Sequence, residues 1–184
     1  MAKAQQDAIA LLKADHRKVE DLFEKAEKAR DEKRKEGLVR EICIELMVHS
    51  TIEEELFYPA CKGQIEDEDK LEEAYVEHDG AKVLISELLE SSPASEFYDA
   101  KVKVLSELIK HHVKEEEARS EGLMAQARQA GLDLDALGAR LEERKGELLA
   151  DFQKRSTLPP PNTRSYTGHS LVQSEPVEAT QASR

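Results

Sequence analysis

Residues 9–26 read IALLKADHRKVEDLFEKA, and this stretch decides the fold. Apolar residues recur along it at alternating spacings of three and four, the period of one face of an α-helix. These residues are Ile9, Leu12, Val19, Phe23 and Ala26. His16 occupies the place in the stripe where a further apolar residue is expected. The pattern predicts an amphipathic helix over about residues 3–30 whose core-facing stripe contains a histidine.

The same pattern recurs three more times, and each further stripe again contains one histidine. These histidines are His49, His78 and His112. The second helix is predicted to begin after a charged turn at residues 31–37, and the third to cover residues 71–88. The fourth is predicted to begin at Ser92 and Pro93, a side-chain cap followed by a good first helical residue, and to end near Gly131.

Composition supports a helical protein, because strong helix formers dominate and only eight of 184 residues are glycine. Four successive amphipathic helices with short connections favour an all-α fold, an up-down-up-down antiparallel four-helix bundle at residues 1–131. Residues 132–155 are predicted to form an accessory fifth helix outside the four-helix core, with an apolar face from Leu134 to Phe152. Residues 156–184 are rich in Pro, Ser and Thr and predict a disordered tail.

Charge and cysteine content exclude several classes of function. The net charge of −12 would repel nucleic acid and anionic membranes, so neither is expected as a partner. The N-terminus lacks an apolar signal core, and no apolar run approaches the roughly 20 residues that cross a bilayer, which predicts a cytoplasmic protein. Cys43 and Cys61 show no CxxC spacing, so free thiols are expected rather than a disulfide framework or a zinc–thiolate site.

The four stripe histidines are expected to meet at one level of the bundle. In an antiparallel helix pair, two residues face each other when the turn lies midway between them. The midpoint of His16 and His49 falls in the charged turn, that of His49 and His78 at Gly63, and that of His78 and His112 just past Pro93. All four imidazoles are therefore predicted to converge near the middle of the bundle.

Two glutamates are predicted to join them. An HxxxE spacing is a weak signal alone, because glutamate is abundant in this chain. The stripe continues at Glu53 after His49, and at Glu116 after His112, which predicts that both glutamates point inward. Helix four can also be read with His111 and Glu115 inward, through Val104 and Leu108. The other nearby glutamates, expected to face solvent, are Glu20, Glu54, Glu55, Glu115 and Glu117.

A buried layer of four imidazoles and two carboxylates requires a cation. Each unpaired buried polar group costs about 1–3 kcal/mol and each ionised carboxylate several, a total close to the roughly 5–15 kcal/mol by which a domain is stable. A mixed imidazole and carboxylate shell suits iron, manganese or zinc. Six ligands on two opposite helix pairs predict two ions bridged by the carboxylates.

Four stretches of the chain, LKADHRKVEDLF, HSTIEEELFYP, EHDGAK and HHVKEEE, resemble the hemerythrin HHE cation-binding family in that order. The resemblance covers roughly residues 8–125. It implies two iron ions, oxo- or hydroxo-bridged, with manganese or zinc as substitutes. It also implies that the terminal ligands are His16, His49, His78 and His112, and that Glu53 and Glu116 bridge the ions. Aligning HVKEEE with HSTIEE selects His112 over His111.

The sequence departs from the family pattern in two places. Oxygen-carrying hemerythrins have a further histidine four residues after the third, where this chain has Lys82. Water, a carboxylate, or Tyr58 or Tyr75 would have to fill that position, although packing roles are favoured for both tyrosines. In addition, the polar pair at residues 119–120 replaces an apolar pair and is expected to loosen the end of helix four.

An incompletely ligated di-iron site favours redox reaction or sensing over reversible oxygen storage. The functional hypothesis is therefore a di-iron protein that binds or reacts with dioxygen, peroxide or nitric oxide, or senses oxidant or iron status, with peroxide or oxygen reduction as the enzymatic form. The alternative hypothesis is a regulatory module with a structural metal site, in which the C-terminal helix binds a protein partner. A ferritin-like site is set aside, because no histidine here follows a glutamate by three residues.

Overall fold

The computed structural model describes residues 6–155, 157–159 and 161–164, and every regular element within those ranges is helical. The elements are α1 (Ala8–Lys28), α2 (Glu32–Ile52), a π-helical stretch (Glu53–Phe57), α3 (Tyr58–Cys61), α4 (Asp69–Leu89), α5 (Tyr98–Glu116), α6 (Leu123–Gln129) and α7 (Leu134–Lys154). The π-helical stretch and α3 continue α2 without a break. The predicted all-α class is confirmed.

Helix α2 begins earlier than its sequence pattern predicts. The Asp31 side chain accepts a hydrogen bond from the backbone N–H of Arg34 at 2.8 Å, which caps a helix beginning at Glu32. The charged residues that follow form its exposed first turns, and Gly37 lies inside the helix. The prediction of a turn over residues 31–37 is therefore wrong. The cap at Asp31 is enough to start α2 at Glu32, so the connection between α1 and α2 is shorter than predicted.

Helix α5 is shorter than predicted at both ends. It begins at Tyr98 rather than Ser92, because residues 92–97 form turns and Phe97 takes a left-handed conformation with φ of 65°. It ends at Glu116 rather than near Gly131, as the polar pair at 119–120 predicts for a weakened end. The chain then folds back onto the last turn of α5. A Cβ atom at Gly122 would lie 2.3 Å from the carbonyl oxygen of Glu116, so this return requires glycine.

Four helices form the bundle around a common axis. Helix α1 packs against α2 and α5, and α4 packs against the same two neighbours. Buried apolar side chains form two clusters, one that includes Phe23, Ile85 and Leu105 and another that includes Leu12 and Phe57. On α1, α2 and α4 the stripe histidine falls between residues of the two clusters, and on α5 His112 lies near the end of the helix beside residues of the first cluster. A polar layer therefore crosses the bundle between two apolar ends.

Helix α7 adds apolar side chains to both clusters of the core. Its side chains Leu137 and Leu141 are buried in one apolar cluster and Phe152 in the other, and the helix packs against α1 and α2. The apolar face that the sequence left without a partner is thus covered within the chain. The predicted additional C-terminal helix is confirmed, and its apolar stripe packs against α1 and α2.

Gly138 allows α7 to approach the start of α1. A Cβ atom there would lie 2.5 Å from the backbone oxygen of Gln6, whereas Gly146 has open space around it. We expect Gly138→Ala to destabilise the protein by about 1–3 kcal/mol, since backbone cannot move aside as a side chain can. Gly146→Ala in the same helix should stabilise it by about 0.5–1 kcal/mol. Denaturant unfolding of both variants checks this, and equal effects would contradict the close approach.

Part of the predicted disordered tail lies against the bundle. Leu158 packs on the apolar cluster that contains Phe152. The backbone N–H of Arg164 donates to Asp79 Oδ2 at 2.7 Å, and its guanidinium lies 4.9 Å from the centre of the Tyr75 ring. Residues 165–184 of the predicted tail lie outside the described residues.

Two smaller features of the fold bear on the sequence expectations. Cys43 and Cys61 are both buried and form no disulfide, and burial raises the pKa of each thiol to about 12. Among the helices described, none is both long enough and apolar enough to cross a membrane.

Candidate metal centre

The six residues singled out by the sequence come together in one buried layer. Each is at most 5% exposed: His16, His49, Glu53, His78, His112 and Glu116. The histidines form two pairs, one from α1 and α2 and one from α4 and α5. The Nε2 atoms of His16 and His49 are 2.9 Å apart, and those of His78 and His112 are 3.1 Å apart. His111, the alternative in helix α5, is 60% exposed and points away from this layer.

Each carboxylate of the layer touches one histidine from each pair. Glu53 Oε2 lies 3.1 Å from His49 Nε2 and 3.4 Å from His78 Nε2. Glu116 Oε2 lies 3.5 Å from the Nε2 atoms of both His16 and His112. The six side chains therefore form a closed ring in which the two carboxylates connect the two histidine pairs.

Behind the ring, a carboxylate faces the Nδ1 atom of every one of these four histidines. The four contacts are His16 to Glu117 at 2.8 Å, His49 to Asp15 at 3.6 Å, His78 to Glu54 at 3.0 Å and His112 to Glu77 at 2.7 Å. Three of these are hydrogen bonds, and the His49 contact is longer than one. An ionised carboxylate only accepts, so Nδ1 carries the proton and Nε2 presents its lone pair to the centre.

These outer carboxylates went unrecognised in the sequence. The expectation that Glu54 and Glu117 face solvent is wrong, because Glu54 is buried against His78 and Glu117 is held against His16. The expectation is confirmed for Glu55 and Glu115, which are exposed, whereas Glu20 is half-exposed beside Arg17. A glutamate on the flank of a stripe is exposed or buried according to what the neighbouring helix presents to it.

A repeated pattern in the sequence could have identified the outer carboxylates. An acidic residue directly precedes His16 and His78, and a second glutamate directly follows Glu53 and Glu116. In each half of the bundle, the acid before the first histidine faces the second histidine of the same half. The second glutamate faces the first histidine of the other half. The pattern is therefore one motif used twice, with its acids crossing between helices.

The π-helical stretch sets the register of the α2 ligands. The wider turn over Glu53–Phe57 buries Phe57 and leaves Leu56 half-buried. Within the same turn, Glu53 faces the ring and Glu54 reaches His78. Single π-helical turns inside α-helices recur at functional sites. A π-helical turn contains one residue more than an α-helical turn. The consecutive residues Glu53 and Glu54 can therefore both contact histidines of the centre.

Tyr58, at the start of α3, adds a hydroxyl to the centre. Its Oη donates to Glu116 Oε1 at 2.9 Å and lies 3.3 Å from His78 Nε2 and 3.4 Å from Glu53 Oε2. Tyr75 packs edge-on against the Tyr58 ring, with ring centres 5.2 Å apart. Of the two tyrosines considered for the incomplete position, Tyr58 thus reaches the ring and Tyr75 supports it. Burial and the charge of Glu116 hold the pKa of Tyr58 well above its usual value.

Lys82 does not face the ring, although it occupies the position where a further histidine would lie. It is 6% exposed, and its Nζ donates to Glu54 Oε1 at 2.6 Å and to Asp79 Oδ1 at 3.3 Å. Lys82 therefore fixes the carboxylate that in turn holds His78. It also lines a cavity of about 20 Å³ beside the histidines, whose apolar walls include Val19 and Ile109.

The electrostatics of the ring indicate a missing positive charge. Burial and the neighbouring charge of Glu116 raise the pKa of Glu53 to about 8. Burial alone would raise the pKa of Glu116, but the surrounding histidines, His112 first, lower it. Burial and His49 lower the pKa of His16 to about 4. Without a metal, the two carboxylates thus share a proton.

Unsatisfied polar atoms show that the residues fit a metal. Within the described part of the chain, four buried side-chain atoms lack a hydrogen bond, namely Asp15 Oδ2, His49 Nδ1, Glu53 Oε1 and Glu116 Oε2. In addition, the Nε2 lone pairs of His78 and His112 face each other, because both Nδ1 protons are already donated. Two such lone pairs repel unless a proton or a metal ion lies between them. The donor atoms form two groups that share Glu53: His16, His49, Glu53 and Glu116 in one, and Glu53, His78 and His112 in the other.

Known proteins resemble this chain in sequence and in fold. The family profile of the hemerythrin HHE cation-binding domain matches residues 7–120. The crystal structure of a hemerythrin HHE cation-binding domain-containing protein from Mycobacterium kansasii is 25% identical, with a TM-score of 0.65, over 82% of this chain and 94% of that chain. A protein from Nostoc sp. described as a DNA nickase is 25% identical over 142 residues, which are 74% of this chain. This chain spans 40% of the length of that protein.

Proposed function

The chain belongs to the hemerythrin HHE cation-binding domain family, and on that premise we propose that its centre holds two iron ions and reacts with, or senses, dioxygen, peroxide or nitric oxide. The family match itself establishes a metal-binding domain. The identity of the metal, the number of ions and the reactivity are the substance of the proposal.

One observation carries the two-ion assignment. The Nε2 atoms of the four histidines lie in two facing pairs, and Glu53 and Glu116 each touch one member of both pairs. Each pair would therefore hold one ion and each carboxylate would span the two. Imidazole and carboxylate donors suit iron, manganese and zinc alike. Iron would supply one-electron redox chemistry towards small oxidants.

The space beside the ring limits the size of a substrate. The adjoining cavity of about 20 Å³ is close to the volume that one water-sized molecule needs. Its walls combine apolar side chains, among them Leu46, Ala81 and Ile85, with Lys82 and the ring histidines, so its small volume sets the limit on substrate size. A ligand of one or two heavy atoms fits this space, which supports dioxygen, peroxide or nitric oxide.

The residues around the ring supply positioning and a proton. The outer carboxylates hold the histidine rings so that Nε2 faces inward, and Lys82 holds Glu54 in the same way. Tyr58 carries a proton at Oη, 2.9 Å from Glu116, because its raised pKa keeps the phenol neutral. The hydroxyl is therefore placed to donate a hydrogen bond within the centre.

The alternative hypothesis, a regulatory module whose C-terminal helix binds a protein partner, no longer has a supporting observation. It rested on an apolar face from Leu134 to Phe152 without a partner, and that face is packed against α1 and α2. The nickase description belongs to the protein from Nostoc sp., and the net charge of −12 argues against a DNA-binding surface. Neither observation supports a second function.

Reconstitution of the metal-free protein with Fe²⁺ tests the proposal. We expect about two irons per chain by metal analysis, and the absorption of an oxo-bridged iron pair after exposure to air. Fewer than about one and a half irons per chain without that absorption would contradict the two-iron centre. Separate exposure of the reduced protein to dioxygen, peroxide and nitric oxide then distinguishes binding, turnover and sensing. No optical change with any of the three would contradict the proposed reactivity.

A further inference from the structure

A second group of metal-ligating side chains lies on the surface of α4 and α5, beside the ring. His111 Nε2 is 3.4 Å from Glu77 Oε1 and 3.2 Å from Glu115 Oε1. His111 and Glu115 are 60% and 46% exposed at their side chains, so a hydrated ion can reach them from solvent. One imidazole and two carboxylates form a mixed donor set of the kind that first-row divalent cations accept.

Glu77 connects this surface group to the ring. Its Oε1 faces His111, while its Oε2 accepts the Nδ1 proton of His112 at 2.7 Å. A single carboxylate thus touches both the exposed histidine and a histidine of the centre. His111 and His112 are consecutive in α5. His111 contacts Glu77 from the surface, and His112 contacts it from the ring.

A cleft of about 250 Å³ lies beside the surface group and is lined both by its residues and by two residues of the ring. Its walls include His111 and Glu115 at the outside and His112 and Glu116 inside. Glu116, which lines the cleft, is 2% exposed, and its Oε2 has no hydrogen bond. The other carboxylates along the cleft are Glu73, Glu77 and Glu121, against two lysines, Lys70 and Lys114. The excess of negative charge favours a cation over an anion in this passage.

We propose that Glu77, His111 and Glu115 form a capture site for a divalent cation, and that the cleft passes the ion from there to His112 and Glu116. The inference rests on the proposed function, since it supplies the ions that the ring holds. An ion at the surface group would exchange some water for three protein ligands, and the ring would replace the remainder. The capture site acts on the rate of loading and leaves the final occupancy unchanged.

The test compares loading rates of His111→Ala and Glu115→Gln with those of the wild type. After Fe²⁺ is mixed with the metal-free protein in air, the growth of the oxo-bridged absorption measures loading of the centre. We expect loading about ten-fold slower in either variant, with the same final iron content. Glu20→Gln is the matched control, since Glu20 has the same spacing from His16 as Glu115 has from His111 but lies away from the cleft. It should load at the wild-type rate.

A second measurement detects the capture site directly. Mn²⁺ added at low occupancy to the metal-free His49→Ala, His112→Ala double variant should broaden the NMR signals of His111, and Glu115→Gln should remove that broadening. Wild-type loading rates in both capture-site variants would overturn the route. A lower final iron content would overturn it too, by making His111 part of the centre itself. A wild-type protein that takes up no iron would instead contradict the proposed function together with the route.

Discussion

Changing Glu53 to glutamine should remove most of the metal binding and leave the metal-free fold as stable as before. Glu53 is the residue shared by both groups of donor atoms, and it has no exposed surface. Because its pKa is raised to about 8, Glu53 is neutral near pH 7 when no metal is bound. Glutamine is therefore a close substitute in the metal-free protein. It lacks the negative charge that the proposed pair of cations would require.

Metal analysis and thermal unfolding of Glu53→Gln check both halves of this prediction. We expect iron content to fall from about two per chain to one or fewer, and the Tm of the metal-free protein to change little. Glu55→Gln is the matched control on the same helical turn, because Glu55 is exposed and pairs with Arg144 at 2.7 Å. It should keep both irons. Full iron content in Glu53→Gln would contradict the bridging role.

Metal binding should release a proton from the centre, so that apparent affinity rises with pH until about pH 8. The folded, metal-free protein keeps Glu53 protonated below about pH 8, and a metal must displace that proton. Apparent affinity should therefore rise at least about ten-fold per pH unit between pH 6 and 7.5, because the raised pKa values of His49 and His112 add to the protons that a metal displaces. Calorimetry in buffers of different ionisation enthalpy measures the proton released. Glu53→Gln should release none from this position, and an affinity independent of pH would contradict the shared proton.

The same groups predict how the stability of the metal-free protein depends on pH. The pKa of Glu53 is raised from 4.5 to about 8, so its contribution to stability is present below pH 4.5 and is lost as pH rises towards 8. The pKa values of His49 and His112 are also raised, as nearby carboxylates outweigh burial, and they act in the same direction above pH 6.5. His16 acts oppositely, but only between pH 6.5 and about 4. The Tm of the metal-free protein should therefore fall between pH 6.5 and 8, and bound metal should abolish that fall.

The position of the histidines is predictable from sequence because it depends on local periodicity. His16 and His49 lie on apolar stripes with the helical period, and an antiparallel connection places them at one height. Helix boundaries are less predictable. Helix α2 begins after the side-chain cap at Asp31, and α5 begins after the left-handed residue Phe97. The sequence offered more familiar boundary signals nearby, namely Gly37 for α2 and the pair Ser92 and Pro93 for α5. The covered face of α7 also depends on a groove that no single segment reveals.

The positions of the outer carboxylates and of Tyr58 cannot be predicted from helical periodicity. Glu54 and Glu117 lie on the flanks of their stripes, where the same residue is solvated or buried according to the helix opposite. The π-helical turn over Glu53–Phe57 depends on packing and shifts the register by one residue. It brings Tyr58 to within 2.9 Å of Glu116, a contact between residues 58 positions apart.

By itself, the sequence determined an all-helical chain with one inward histidine on each of four helices, because this follows from the period of a helix and the length of its connections. The choice of His112 and Glu116 over His111 and Glu115 came from the family resemblance. The tertiary structure alone decided the rest. It paired the histidines across helices, placed a carboxylate behind each one, turned Lys82 towards Glu54 and Asp79 rather than the ring, and brought the surface residue His111 next to Glu77. Each of these contacts joins side chains from different turns or helices, and burial fixes such contacts only when the whole bundle has formed.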